Sequence, residues 1–172
     1  MTCLMVGASA KAERVAPSKP RVVKRVYGLK LGSGWRRLAV AKKAAPGLHT
    51  RAFEAHRHTA SGRRLAVTRT GFPNYDARRR LGAYMKLIET GLRSQPGYKR
   101  LRRSKRKLGR IPIVEFVFRR RRAGASEVVV LKLMLYRSWS YALTLVTPAR
   151  NWKRWRRRNR KLIKTFRPRR RR

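Results

Sequence analysis

The hydrophobic residues of this chain concentrate in its second half, where three short apolar runs follow one another. The runs are Ile111–Phe118 (IPIVEFVF), Val128–Tyr136 (VVVLKLMLY) and Tyr141–Val146 (YALTLV). β-Branched and aromatic residues dominate them and short polar segments separate them, which is typical of neighbouring β-strands. The pattern predicts three strands joined by turns at Arg119–Ser126 (RRRRAGAS) and Arg137–Ser140 (RSWS).

After the third run the pattern changes to helical spacing. Thr147 and Pro148 suit an N-cap followed by the first helical position. One face of the predicted helix is apolar: Trp152, Trp155, Leu162, Ile163 and Phe166. Packing in the core is favoured over base stacking for the two tryptophans. The other face is basic and holds no acid: Lys153, Arg154, Arg156, Arg157, Arg158, Arg160, Lys161 and Lys164.

Upstream, the sequence predicts two further strands and one more helix. Trp35–Ala41 and Leu65–Thr70 suit short strands, and Lys42–Gly62 between them resembles a loop. A helix begins near Asn74 or Asp76, and its apolar face carries Leu81, Tyr84, Met85, Ile88 and Leu92. This order of elements predicts an α+β fold in which an antiparallel sheet is packed by two amphipathic helices.

The segment Tyr98–Gly109 (YKRLRRSKRKLG) links that helix to the first apolar run and contains seven basic residues. Tyr98, Leu101 and Leu108 favour a strand. Arg102–Lys107 also suits a loop that grips a phosphate backbone. The sequence leaves both structures open.

Charge decides the class of partner. The 172 residues include 49 Lys and Arg against 6 Asp and Glu, a formal net charge of +43. Such a charge implies a polyanion, with nucleic acid ahead of a membrane surface because the basic residues are spread along the whole chain. We expect three parts: a basic extension over 1–34, one α+β domain over 35–167 and a poly-Arg tail over 168–172. The acid-poor extension suits a mitochondrial transit peptide or a ribosomal-type tail.

Four basic clusters make up the predicted RNA-binding surface. Arginine dominates them, and its planar guanidinium matches two phosphate oxygens at once. One cluster is the basic face of the last helix. The other three are Arg102, Arg103, Lys105, Arg106 and Lys107, then Arg119, Arg120, Arg121 and Arg122 at a hairpin tip, and Arg169, Arg170, Arg171 and Arg172 at the end of the chain. The sequence has no RNP motif, GXXG loop or zinc knuckle, so we expect contacts to phosphate and sugar rather than sequence-specific recognition.

Catalysis is not expected from this sequence. The six acids form no spaced carboxylate pair, and no G-x-S-x-G motif occurs. The glycine-rich stretch Gly28–Gly34 favours a flexible linker over a phosphate cradle, because no helix follows it. A single cysteine, Cys3, excludes an internal disulfide, and His49, His56 and His58 favour loop histidines near phosphates over a metal site. We therefore expect no metal, no cofactor and no small-molecule substrate.

From about residue 65 to 167 the chain resembles a PsbP-like domain. The resemblance lies in Leu92 and Pro96-Gly97-Tyr98 after a helix, then Leu108–Pro112 (LGRIP), Tyr141–Thr144 (YALT) at the end of the strands, and Thr165-Phe166-Arg167 closing the last helix. This fold is shared by an extrinsic photosystem subunit, a Ran-binding import factor and bacterial DcrB-like lipoproteins. The resemblance implies the fold, and it carries no common chemistry. The almost wholly cationic surface departs from the mixed surface usual in the family.

The composition also resembles that of lineage-specific proteins of mitochondrial ribosomes. That resemblance implies a structural rRNA-binding subunit whose partners are rRNA and neighbouring ribosomal proteins, without a membrane partner. The expected location is the mitochondrion, with plastid and cytosolic ribosomes as alternatives. Two other functions stay open: a basic protein that packages DNA, and a protein–protein adaptor of PsbP-like fold.

Overall fold

The computed structural model describes residues 27–40, 50–71, 81–109, 111–136 and 139–168. These ranges contain nine strands and two helices. The strands are β1 (Tyr27–Gly28), β2 (Trp35–Leu38), β3 (Thr50–His58), β4 (Arg64–Gly71), β5 (Lys99–Leu108), β6 (Ile111–Arg122), β7 (Ala125–Tyr136), β8 (Trp139–Pro148) and β9 (Arg167–Pro168). The helices are α1 (Leu81–Arg93) and α2 (Trp152–Thr165).

Seven strands form one antiparallel sheet in the order β2-β3-β4-β8-β7-β6-β5, and β1 pairs separately with β9. The sheet lies between the two helices. On one face it packs against Leu162 and Ile163 of α2, and on the other against Tyr84 and Met85 of α1. Because both faces are buried, the central strands are apolar over most of their length. The predicted α+β architecture is confirmed.

The predicted apolar face of α1 is also confirmed. Leu81, Tyr84, Met85 and Leu92 are buried, and Ile88 is partly buried. Within the described part of the chain, neither helix is long and apolar enough to cross a membrane. The predicted extension as far as residue 26, the caps Asn74 and Asp76, and Arg169–Arg172 lie outside the described residues.

The arginine-rich segment between β6 and β7 differs from the prediction. Instead of forming the turn, its arginines continue β6 to Arg122, and the turn is only Ala123–Gly124. Both turn residues have positive φ, 46° and 75°. A two-residue turn of this kind follows the twist of the flanking strands, so strand pairing continues to the tip. The arginines therefore alternate between the two faces of the sheet.

The start of the last helix was predicted wrongly at Thr147 and Pro148. Strand β8 runs through Pro148, and a 3-10 turn at Ala149–Asn151 precedes α2. Thr147 is fully buried, and its hydroxyl accepts a 3.0 Å hydrogen bond from the side chain of Asn159. This hydroxyl therefore ties α2 to the sheet and does not cap the helix.

The stretch predicted as a loop at 42–62 contains β3, which pairs with both β2 and β4. Glu54, His56 and His58 alternate along β3 and are all buried on the side of α2. The strand periodicity is present, but polar residues occupy the inward positions. A search for alternating hydrophobic residues misses such a strand.

Tyr27 belongs to the folded body, although it lies ahead of the predicted domain boundary at residue 35. It is 3% exposed, its ring is 5.3 Å from that of Phe166, and its hydroxyl donates a 2.5 Å hydrogen bond to Glu54. The β1–β9 pair then joins both ends of the described chain at one place.

Candidate nucleic-acid interface

Three of the four acids in the described part of the chain are buried. Glu54, Glu89 and Glu127 are 4%, 6% and 7% exposed. Glu115 is partly buried and lies opposite Lys132 in the β6–β7 register. No described acid is therefore fully exposed, and the charge on the outer surface of the described residues is predominantly positive.

Glu89 on α1 uses its carboxylate to bind the first arginines of β5. Arg100 donates a 2.5 Å hydrogen bond to one oxygen and Arg103 a 2.9 Å bond to the other. Burial raises the pKa of Glu89, but the hydrogen bond from Arg100 and the charges of Arg100, Arg103 and Arg93 outweigh it and hold the pKa below its usual value. Arg103, which we predicted to bind phosphate, thus already has a carboxylate partner.

Arg120 does not belong to the exposed basic surface that the sequence predicted. It is only 4% exposed, its Nε donates a 3.1 Å hydrogen bond to Glu127, and its Nη1 donates one of 3.2 Å to Gln95. Arg64 donates to the other oxygen of Glu127. Burial lowers the pKa of Arg120, and Glu127 opposes this change. Arg120 lies inside the fold because it faces α1 and the loop after that helix.

The basic face of α2 lies where the sequence predicted it. All eight of its Lys and Arg residues are exposed, and Trp155, Leu162 and Ile163 face the sheet. Asn159, which the apolar pattern did not mark, is fully buried in the same row. Burial of Trp155 also confirms its predicted packing in the core.

The cluster Arg102–Lys107 forms a strand, so its residues divide between two surfaces. Strand β5 is one edge of the seven-stranded sheet. Arg102 and Arg106 lie opposite Val117 and Ile113, whose side chains face α2. Arg103, Lys105 and Lys107 alternate with them and lie on the α1 side of the sheet. Of these five residues, only Arg102 and Arg106 therefore lie on the face of the sheet that packs against α2.

The arginines of β6 divide in the same way. Arg119 lies opposite Val128, which faces α2, and is exposed. Arg121, two residues further, is exposed on the same side, whereas Arg122 lies on the other. The α2 side of the molecule thus combines the helix with Arg102, Arg106, Arg119 and Arg121. The predicted tail residues Arg169–Arg172 are outside the described part.

A groove of about 680 Å³ lies along α2 from Trp155 to Thr165, beside β2 and β3. Among the described residues that line it there is no acid, and four are cations: Lys30, Arg63, Arg158 and Lys161. The rings of Trp35, His58 and Trp155 form its wall.

Arg63 is held by aromatic rings and neutral oxygens. Its guanidinium carbon lies 3.9 Å from the centre of the Trp155 ring and 5.1 Å from that of Trp35. Nε donates a 2.8 Å hydrogen bond to Ser61, and Nη1 donates one of 2.9 Å to Asn159. The side chain is 3% exposed, and no carboxylate of the described chain pairs with it. Burial, followed by the charge of a nearby arginine on α2, lowers the pKa of Arg63 to about 10.

His58 lies between the two tryptophans. Its ring meets Trp35 edge-on at 5.4 Å and is 5.5 Å from Trp155. Nδ1 is buried and has no hydrogen-bond partner among the described residues. Burial first, then the charges of Arg63 and Arg158, lower the pKa of His58, which favours the neutral form of the ring.

The loop between β1 and β2 forms the rim of the groove. Gly34 has φ +81°, and a Cβ there would lie 2.9 Å from Nε2 of His58, so only glycine fits. The amide of Thr59 donates a 3.0 Å hydrogen bond to the carbonyl of Gly34, and the amide of Lys30 donates one of 3.1 Å to Thr165. The segment interpreted as a flexible linker is thus tied to β3 and α2.

Sequence reasoning did not mark Lys30, Trp35 or Arg63 as site residues. They lie far from α2 along the chain, and only the packing of α2 on the sheet brings them beside Arg158 and Lys161. His58 was considered as a loop histidine, and it is a buried strand residue. No local motif announces such a site.

Comparison with solved structures identifies the fold. The cyanobacterial PsbP protein CyanoP from Synechocystis sp. PCC 6803 matches with a TM-score of 0.61 and 13% identity, covering 95% of this chain and 99% of CyanoP. LpqN, involved in cell envelope biogenesis of Mycobacterium tuberculosis, matches with a TM-score of 0.58 and 13% identity over 83% of each chain. PA94 of Pseudomonas aeruginosa, a protein of unknown function, matches with a TM-score of 0.54 and 12% identity, covering 81% of this chain and all of PA94.

The chain therefore has a PsbP-like fold, as its sequence pattern indicated. Identities this low establish the fold alone. No protein-family profile matches the chain, and no curated protein sequence matches it either.

Proposed function

We propose that this chain is a structural RNA-binding subunit of a ribonucleoprotein, specifically an rRNA-binding protein of the mitochondrial ribosome. The observation that carries the proposal is the separation of charge. Of the four described acids three are buried and Glu115 is partly buried, whereas all eight basic residues of α2 are exposed. Plastid and cytosolic ribosomes are the alternative locations.

The basic face of α2 is unfavourable without an anionic partner. Like charges lie four residues apart at 153/157, 154/158, 156/160, 157/161 and 160/164. Each such pair costs a helix about 0.2–0.5 kcal/mol, or roughly 1–2.5 kcal/mol for five pairs. RNA phosphates laid along this face would remove the repulsion and release bound counterions.

The role follows from the kind of contact available. Exposed arginines bind phosphate oxygens, which position a protein on folded RNA without reading its sequence. Arg102, Arg106, Arg119 and Arg121 extend the contact beyond α2 on the same side of the sheet. The protein would thus brace rRNA beside neighbouring ribosomal proteins, without catalysis and without a cofactor.

The test is the salt dependence of binding, with the purified full-length chain and an rRNA fragment over a series of KCl concentrations. A protein that contacts six to ten phosphates loses affinity by a factor of about 10³–10⁵ when the salt concentration rises from roughly 50 to 200 mM. In an organelle extract, the tagged protein should sediment with a ribosomal subunit and be released by RNase. Release by DNase instead would indicate a packaging protein. Binding that is indifferent to salt would indicate a protein–protein adaptor.

A further inference from the structure

We infer that the groove between α2 and the β2–β3 edge binds one unpaired nucleotide of RNA, with its base on Trp35 and its phosphate held by Arg158 and Lys161. This inference rests on the proposed function, because it takes RNA as the partner. It adds a site that discriminates an unpaired nucleotide from a regular helix.

The size and charge of the groove suit such a ligand. About 680 Å³ falls within the roughly 300–1,000 Å³ typical of small-molecule sites. Arg158 and Lys161 are exposed and belong both to the groove lining and to the basic face of α2. A nucleotide in the groove can therefore remain part of a backbone that continues along α2, which favours RNA over a free nucleotide.

The buried charge of Arg63 indicates that the ligand of the groove is an anion. Elsewhere the fold pairs a buried arginine with a carboxylate, as Arg120 is paired with Glu127. Arg63 is as deeply buried but has only Ser61, Asn159 and two aromatic rings as partners in the described chain. A buried charge without a counterion is costly, and an incoming phosphate would offset that cost.

The aromatic wall offers one ring for stacking. Trp155 is buried beneath Arg63, whereas Trp35 is partly exposed in the groove. His58, more than nine-tenths buried, meets Trp35 edge-on and holds it in place. Its Nδ1 has no hydrogen-bond partner in the described part of the chain, although buried polar atoms are normally paired.

The experiment uses the full-length protein and two RNA hairpins, one fully paired and one carrying a single bulged 2-aminopurine. Stacking quenches this fluorescent base. We expect quenching on binding and about tenfold tighter binding of the bulged hairpin, the size of one base–aromatic stack. Trp35→Ala should abolish both the quenching and the preference. Thermal unfolding of Trp35→Ala checks that this variant is folded. Lys161→Gln changes an exposed residue of the groove and should reduce the preference for the bulged hairpin without disturbing any ring.

Arg158→Gln and Arg157→Gln form a matched pair of exposed neighbours on α2. Both should weaken binding of the paired hairpin, but only Arg158→Gln should also reduce the preference for the bulge, since Arg158 lines the groove. Equal effects of the two on that preference, or quenching that persists in Trp35→Ala, would overturn the inference. If the protein binds both hairpins equally with a steep salt dependence, the groove inference fails while the proposed function stands. If it binds neither, the proposed function fails.

Discussion

The guanidinium carbon of Arg63, the residue before β4, lies 3.9 Å from the centre of the Trp155 ring on α2. The same guanidinium donates a hydrogen bond to Asn159, whose amide in turn donates one to Thr147 of β8. These contacts fix the rotation of α2 about its axis. The basic residues consequently point outward along the whole helix.

Arg63→Lys tests this connection. Lysine keeps the charge but cannot stack as a plane or reach Ser61 and Asn159 together. We expect the free energy of unfolding in urea to fall by about 1.5–3 kcal/mol, the range for hydrogen bonds to a charged group. Arg36→Lys, at an exposed position of β2, is the control and should change stability little. Equal effects of the two substitutions would show that the network contributes nothing.

Reversal of charge on α2 tests the proposed RNA-binding surface. A triple variant with glutamate at Arg156, Arg157 and Arg160 should no longer enter the ribonucleoprotein, as measured by sedimentation. Its circular dichroism should stay native, because these side chains are exposed.

The matched control places glutamate at Arg36, Arg57 and Lys86. These residues are also exposed, and the control changes the charge by the same amount away from α2. We expect the control to incorporate better than the α2 variant. Equal incorporation of the two variants would show that only total charge matters, and normal incorporation of the α2 variant would contradict the assignment of its face.

Glu89→Gln tests the ion pairs between α1 and β5. The amide leaves Arg100 and Arg103 without a carboxylate, so we expect a loss of about 1–3 kcal/mol at pH 7. The pKa of Glu89 is lower in the folded than in the unfolded state. Its contribution to stability is therefore present at pH values above the unfolded pKa and is lost as the pH falls through the folded pKa. Urea unfolding at several pH values should show the two proteins converging in acid. A difference that does not change with pH would contradict the role of the charge.

Lys132→Met tests a buried amine. Lys132 is fully buried, and its Nζ donates hydrogen bonds to the carbonyls of Ile163 (2.8 Å) and Phe166 (2.6 Å) at the end of α2. Burial first, then the charge of Arg106, lowers its pKa to about 8, despite the opposing charge of Glu115.

The folded chain therefore loses the proton of Lys132 near pH 8, whereas an unfolded chain holds it to about pH 10.5. Stability should rise through that window by roughly 2–4 kcal/mol relative to the variant. Urea unfolding of both proteins between these pH values measures the difference. Parallel curves would show that the amine is not perturbed.

Much of the fold could be predicted because it depends on local patterns. The three apolar runs became β6, β7 and β8, and the helical spacing placed Trp155, Leu162 and Ile163 inward. Strand β3 was missed because its inward positions are polar, and the start of α2 was missed because Thr147 binds across the sheet.

The sequence by itself determined the strongly positive charge and the exposed basic face of α2, because net charge and helical period are properties of the chain alone. Only the tertiary structure decided which arginines are available. Arg103 and Arg120 are held by Glu89 and Glu127, and Arg63 lies between two tryptophans. Each of these contacts depends on strand register and helix packing. Such contacts join residues that no local period relates, so sequence spacing could not reveal them.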